Sequence, residues 1–214
     1  MYKEGIMFKV LRNMVIEVLP ELIPVIIIIA VIACSLRISY LIKYKEKFIF
    51  HKEIFTLIFI LYIMCLFEVV TFQDINFGTS NFIPFKEIFR YSLGSRLFIK
   101  NIVGNVLLFL PYGYYITYYL KSKKIYPTIF LTIIVSTTIE LVQLKIGRTF
   151  DIDDIILNTL GGIIGSYIYI VIENIKDKLP SIFKSDAVIN TIVIILIILI
   201  IFYSFNLNIF NWFE

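Results

Sequence analysis

Apolar residues in this chain come in long runs separated by short polar stretches. The runs fall at residues 22–41, 54–72, 101–120, 126–144, 155–173 and 189–205. At ~17–22 residues with almost no charge, each is long enough to cross a ~30 Å hydrocarbon layer as a helix. The pattern predicts an all-α, polytopic transmembrane helical bundle of about six spans. Residues 1–21 break the pattern with Lys3, Lys9 and Arg12, which predicts a short surface-lying segment ending at Pro20 or Pro24. No small-residue cleavage site follows the first run, so this stretch does not read as a signal peptide.

The linker at 73–100 has a pattern of its own. NFIPF, with Asn81, Pro84 and Phe85, reads as a turn feeding a helix with Pro84 in its first turn. Phe85, Ile88, Phe89 and Leu93 then share one face, and Lys86, Glu87 and Arg90 the other. That arrangement predicts an amphipathic helix lying in the membrane interface.

Composition removes the alternatives to a membrane protein. Apolar residues make up 59% of the chain and mean hydropathy is +0.90, outside the range of soluble domains. The net charge of +4 is spread among the linkers, which suits membrane anchoring and excludes a nucleic-acid face. Cys34 and Cys65 lie within apolar runs as small core residues, with no disulfide framework expected. His51, the single histidine, reads as a solvated side chain in a charged linker, and Trp212 suits the headgroup belt.

Against this background, Glu140 to Gly165 stands out. Glu140 and Gln143 are three apart on one helix and share a face. Asp151, Asp154, Asn158, Gly161 and Gly165 recur at three and four on the next, a polar stripe running into a GxxxG packing surface. Asp151, Asp153 or Asp154 can cap that helix, and Arg148 is the available cation for Asp151 or Glu140. Asn105, in the third run, serves either as interhelical glue or as a ligand. Gly104 permits close helix approach, and Pro111 with Gly113 predicts a kink. Glu68, one acid near a span end, can reach the interface by itself. An acid group such as Glu140, Asp151 and Asp154 would suit a divalent cation, although no cofactor is required.

The third run fits Asn-x-x-Leu-Phe-x-Pro-x-Gly through Asn105, Leu108, Phe109, Pro111 and Gly113. The fourth and fifth fit Glu-x-x-Gln, then Arg-x-x-Asp-x-x-Asp-x-x-x-Asn-x-x-Gly-x-x-x-Gly, through Glu140, Gln143, Arg148, Asp151, Asp154, Asn158, Gly161 and Gly165. These motifs, with NFIPF upstream, resemble the VanZ-like family of bacterial membrane proteins. The resemblance implies a multi-pass protein of the cell membrane associated with low-level resistance to teicoplanin and related lipoglycopeptides. It divides the chain into an N-terminal part at 1–75, a VanZ-like domain at 76–173 and a linker with a last span at 174–214. The expected partners are membrane lipids, cell-wall lipid precursors or the lipoglycopeptide itself.

Three functions compete for the polar residues. One is an envelope protein that binds an anionic lipid or glycolipid head, or a cation. The second is an intramembrane enzyme acting on a lipid phosphate. With no HExxH motif and the one histidine outside the site, such an enzyme would need a carboxylate- and metal-dependent mechanism. The third is a small-molecule or proton-coupled carrier, which the absence of an internal repeat disfavours. Nine Lys/Arg lie on the side of the polar residues and eleven on the other, so the site is expected to face out of the cytoplasm.

Overall fold

The computed structural model describes the backbone of residues 2–71 and 79–210 and the side chains of residues 23–68 and 79–200. Trp212, the side chains of Lys3, Lys9 and Arg12, and residues 73–78 of the long linker lie outside what is described.

Among the described residues seven helices follow one another: α1 (Tyr2–Tyr44), α2 (Phe50–Thr71), α3 (Lys86–Arg90), α4 (Arg96–Leu120), α5 (Tyr126–Lys145), α6 (Ile152–Lys178) and α7 (Asp186–Phe210). Among the described residues there is no strand; one isolated bridge joins Asn81 to Asp151. Within the described residues five helices are long and apolar enough to cross a membrane, through Ile23–Tyr44, Phe50–Glu68, Arg96–Leu120, Tyr126–Lys145 and Ile152–Lys178. α7, where the sixth crossing is expected, is apolar over its described part, Asp186–Ile200. Large side chains such as Ile28, Leu36 and Ile42 project outward, Ile42 with 74% of its surface open. In water that surface would be an aggregation patch, whereas in a bilayer it is the lipid face.

One element differs from the sequence expectation. α1 does not stop at Pro20 or Pro24 but continues through both. A proline forfeits one hydrogen bond, and outside water ending a helix forfeits several, so continuing is the cheaper course. α4 is helical on both sides of Pro111 and includes a π-helical turn at Ile99–Val103, immediately before Gly104 and Asn105.

α4, α5 and α6 form the core. Inward-facing residues, all polar or small except Phe109, recur every four positions on each: Asn105, Phe109, Gly113 and Thr117 on α4; Thr128, Thr132, Ser136 and Glu140 on α5; Asp154, Asn158, Gly162 and Ser166 on α6. Four-residue spacing keeps each set on one face, and the three faces meet. At one end of this seam the Thr117 hydroxyl bonds Thr128 and Ser166, at 3.0 and 2.8 Å. Buried hydroxyls that satisfy one another hold helices together without an exposed polar cost. α4 and α6 come into backbone contact: a methyl group on Gly165 would lie 2.0 Å from the Leu110 carbonyl oxygen, and one on Gly161 2.2 Å from that of Val106. Gly113 and Gly162 meet in the same way. Gly104, expected at a close approach, has room for a methyl, with Ile99 O 3.7 Å away.

α2 packs its aromatic face on α4. Phe59 stacks on Tyr115 with ring centres 3.5 Å apart, and the Tyr62 hydroxyl donates to the Leu108 carbonyl at 2.6 Å. α7 is joined to α2 by His51, whose backbone N–H and ring Nδ1 both meet Asn190 Oδ1, at 2.9 and 2.8 Å. The histidine is therefore a half-buried helix contact rather than a solvated linker side chain. Its partner is 139 positions away, beyond the reach of any local pattern.

Candidate functional site

The crossings bring the end of α5, the start of α6, the start of α4 and the segment before α3 to one membrane face. The turn from α5 to α6 is tight: Gly147 takes φ of 88°, in the left-handed region that glycine enters without strain, and Arg148 N donates to Gln143 O at 2.9 Å. This turn carries Asp151 back over the last turns of α5. Glu140, 2% exposed, accepts the Asp151 backbone N–H at 2.9 Å. Asp151 is the N-cap of α6, its Oδ1 accepting from Asp153 N at 2.9 Å.

The segment before α3 is clipped onto that cap. Asn81 N donates to Phe150 O at 2.8 Å, and Ile152 N donates to Asn81 O at 3.0 Å. The Asn81 amide also donates to Asp151 Oδ1 at 2.9 Å, while its own Oδ1 accepts from Ile83 N. Phe82 stacks on Phe150 with ring centres 5.2 Å apart. Pro84 lies in the turn rather than in the helix, which starts two residues later at Lys86 after Phe85 at φ of 66°.

Asp153, expected only as one of three possible caps of α6, has a different role. It is 1% exposed, and its carboxylate accepts three backbone N–H groups from the other segment: Phe85 at 2.5 Å, Glu87 at 2.7 Å and Ile88 at 3.1 Å. It thus caps α3 from a distance, its negative charge meeting the positive end of that short helix. A signal was present. Phe85 has no side-chain acceptor, so the first N–H groups of α3 need one from elsewhere.

Deeper in, the Asn105 amide of α4 donates to Asp154 Oδ1. One turn on, the Asn158 amide donates to Ser136 Oγ at 2.9 Å, while its Oδ1 is buried with no hydrogen-bond partner among the described residues. Gln143 is buried, and Arg148 is half-buried within electrostatic reach of Glu140 and Asp154. Asn105, Glu140, Gln143, Arg148, Asp151, Asp154 and Asn158 therefore share one end of the three-helix core, with Asn81 above them. Among the described residues no three Asp, Glu, His or Cys side chains gather closely enough to hold a metal ion. Glu140, Asp151 and Asp154 sit in separate hydrogen-bonded positions instead, because each is drawn to a different backbone or amide donor. Chemically the site offers carboxylate and amide acceptors beside one guanidinium.

Burial raises the Asp151 carboxyl above its usual range, against the lowering effects of the Asn81 amide and the Asp153 N–H. A carboxyl raised in the folded state binds its proton more tightly there than when unfolded, so its contribution to stability is present at low pH and lost as pH rises through the folded value. Asparagine caps helices as well as aspartate and can accept both hydrogen bonds. Asp151→Asn is therefore expected to raise the melting temperature in detergent at pH 7, with the difference closing as pH falls to ~4, the ordinary carboxylate range. A difference that does not change with pH would contradict this.

The sequence model of the VanZ/LLP1 family matches residues 53–173 of this chain. A curated relative, Protein VanZ of Enterococcus faecium, is 31% identical over 112 residues, which cover 51% of this chain and 66% of the relative. The alignment thus spans just under two thirds of that relative's length. No solved structure matches.

Proposed function

The chain belongs to the VanZ/LLP1 family, and from that premise we propose that it lowers susceptibility to teicoplanin and related lipoglycopeptides by holding the polar head of a membrane lipid or cell-wall lipid precursor. The observation that carries this reading is the convergence of side chains from three helices, α4, α5 and α6, with the clipped segment at Asn81, on one membrane face. Polar groups kept at such depth are costly, and function is the usual reason. The carboxylates and amides match the hydroxyl or ammonium donors of a head group. Arg148, with the exposed Lys86 and Arg90 of α3, matches its phosphate. The excess of basic residues at the opposite face supports a site that opens out of the cytoplasm, where lipoglycopeptides act.

Expression of the full chain in a teicoplanin-susceptible Gram-positive host tests this. The inhibitory concentration of teicoplanin is expected to rise, with no change for an antibiotic that acts on the ribosome. In the same cells, a Lys145→Cys variant in a background with Cys34 and Cys65 replaced by serine is expected to react with a membrane-impermeant thiol reagent. Unchanged teicoplanin susceptibility would refute the function, and labelling only after lysis would refute the orientation.

A further inference from the structure

The segment from Asn81 to Lys100 shows a surface that the core does not use. Phe82, Ile83, Phe85, Phe89, Leu93 and Leu97 all point outward, Phe89 with 83% and Leu93 with 81% of its surface open. Ile88, on the other side of α3, is turned in. Lys86, Arg90, Arg96 and Lys100 are exposed along the same stretch, Arg90 reaching Glu87 at 3.0 Å. The stretch joins directly to α4, whose outer face is lipid-exposed, so this apolar surface continues the lipid face into the boundary layer. Aromatic and aliphatic side chains flanked by lysine and arginine fit an anionic headgroup layer.

α3 is five residues long, too short to hold its own shape in water or lipid. What fixes it is the Asp153 carboxylate, which rises from the first turn of α6 between Asp151 and Asp154 and takes two of its backbone N–H groups, Glu87 and Ile88, together with that of Phe85 just before it. The same first turn of α6 therefore carries the site carboxylates and the anchor of the exposed segment.

We propose that Asp153 is the positioning residue that locks the segment at 81–93, inserted in an anionic phospholipid leaflet, against the mouth of the polar site, so that the site opens to the headgroup layer and not to bulk water. The last step rests on the headgroup reading of the site; the anchoring itself does not. Lipid heads then reach Glu140 and Asp154 sideways from the leaflet, past the Asn81–Asp151 clip. The Asp153 side chain touches no ligand. It acts through the backbone of Phe85, Glu87 and Ile88.

The test uses the full chain with Trp212→Phe and Phe89→Trp, leaving one tryptophan, in vesicles of phosphatidylglycerol and phosphatidylcholine brominated in the upper acyl chain. Emission is expected to be quenched by the brominated lipid and shielded from aqueous acrylamide, and more so as the phosphatidylglycerol fraction rises. Adding Asp153→Asn removes the charge and presents an N–H₂ to backbone donors. It is expected to lower quenching by lipid about twofold and raise quenching by acrylamide by a similar factor. Glu87→Pro deletes one of the three donors without touching α6, at a first-turn position that tolerates proline, and is expected to give part of the same change.

If Phe89→Trp is quenched by acrylamide and not by lipid, the insertion is wrong. If Asp153→Asn lowers the melting temperature but leaves the folded protein's tryptophan at the same depth, Asp153 is only structural and the proposal falls. If Asp153→Asn does not fold, Glu87→Pro decides, and unchanged depth in that variant overturns the proposal. No antibiotic or ligand enters the measurement, so its failure and the failure of the teicoplanin assay are distinguishable.

Discussion

Replacing Gly165 by leucine is expected to cost the protein its fold. The first carbon of the new side chain would lie 2.0 Å from Leu110 O and 2.7 Å from Tyr114 N, both backbone atoms of α4. A side chain can change rotamer to make room; two packed helix backbones can only move apart. Separation would also lift Gly161 from Val106 and Gly113 from Gly162, so the loss extends along the whole contact. Overpacking of a core by a methylene or two costs ~1–3 kcal/mol, and here several contacts go together. Gly165→Ala is expected to lower the melting temperature in detergent by several degrees, on the order of 2–4 °C per kcal/mol for a chain of this size. Gly165→Leu is expected to yield no monodisperse folded protein. Ile164, the next residue, is partly exposed on the outer face, and Ile164→Leu is expected to fall within ~0.5 kcal/mol of the parent. A Gly165→Leu protein that melts with the parent would show that α4 and α6 do not make this contact.

Loss of the proposed teicoplanin protection on removing Glu140 or Asp154 is the second large expected effect. Glu140 accepts the Asp151 N–H and Asp154 accepts the Asn105 amide, so each acid shapes the site, and under the proposed head-group reading each also meets the ligand. Alanine at either position leaves a donor without its partner, at ~1–3 kcal/mol. Stability loss and functional loss would then be mixed. Asp154→Asn and Glu140→Gln separate them, because an amide oxygen keeps the inherited hydrogen bond while the carboxyl's second oxygen is lost to a ligand. A head-group donor left without its acceptor in a desolvated site costs ~1–3 kcal/mol, roughly 5- to 150-fold in affinity. Both amide variants are therefore expected to reach the membrane at parental levels, as judged by immunoblot, and to confer no protection. Protection at the parental level from either of them would sink the headgroup reading.

Much of this site can be read along the chain, and the reasons differ from residue to residue. Glu140 with Gln143, and Asp154 with Asn158, are legible because helical spacing places them on one face and because polar groups are rare in such surroundings. Gly161 and Gly165 announce a packing face by the same spacing. Asp153 was legible only as one of three candidates for a local cap, because the N–H groups it serves lie 65 to 68 residues away, at Phe85 and on α3. His51 was misjudged as solvated for the same reason: its partner Asn190 approaches only when α7 packs on α2. Thr128, Thr132 and Ser136 form a four-spaced hydroxyl row leading to Glu140, a signal present in the sequence that becomes meaningful once Thr117 and Ser166 are seen opposite.

By itself the sequence determined that this is a membrane-spanning helical protein, where its crossings run, which polar residues are out of place in them and which family it resembles. Those properties depend on run length, spacing and the cost of polar groups in hydrocarbon, and all three are local. Only the tertiary structure decided that α4 and α6 touch backbone to backbone, that Asn105 meets Asp154, and that the polar face of α6 also anchors the segment before it through Asp153. Hydrogen bonds to backbone N–H groups carry no side-chain signature at the donor end, and helix contacts depend on which faces meet across the bundle. The acids between Glu140 and Asp154 could be found by reading the chain, but their separate partners could be assigned only once it was folded.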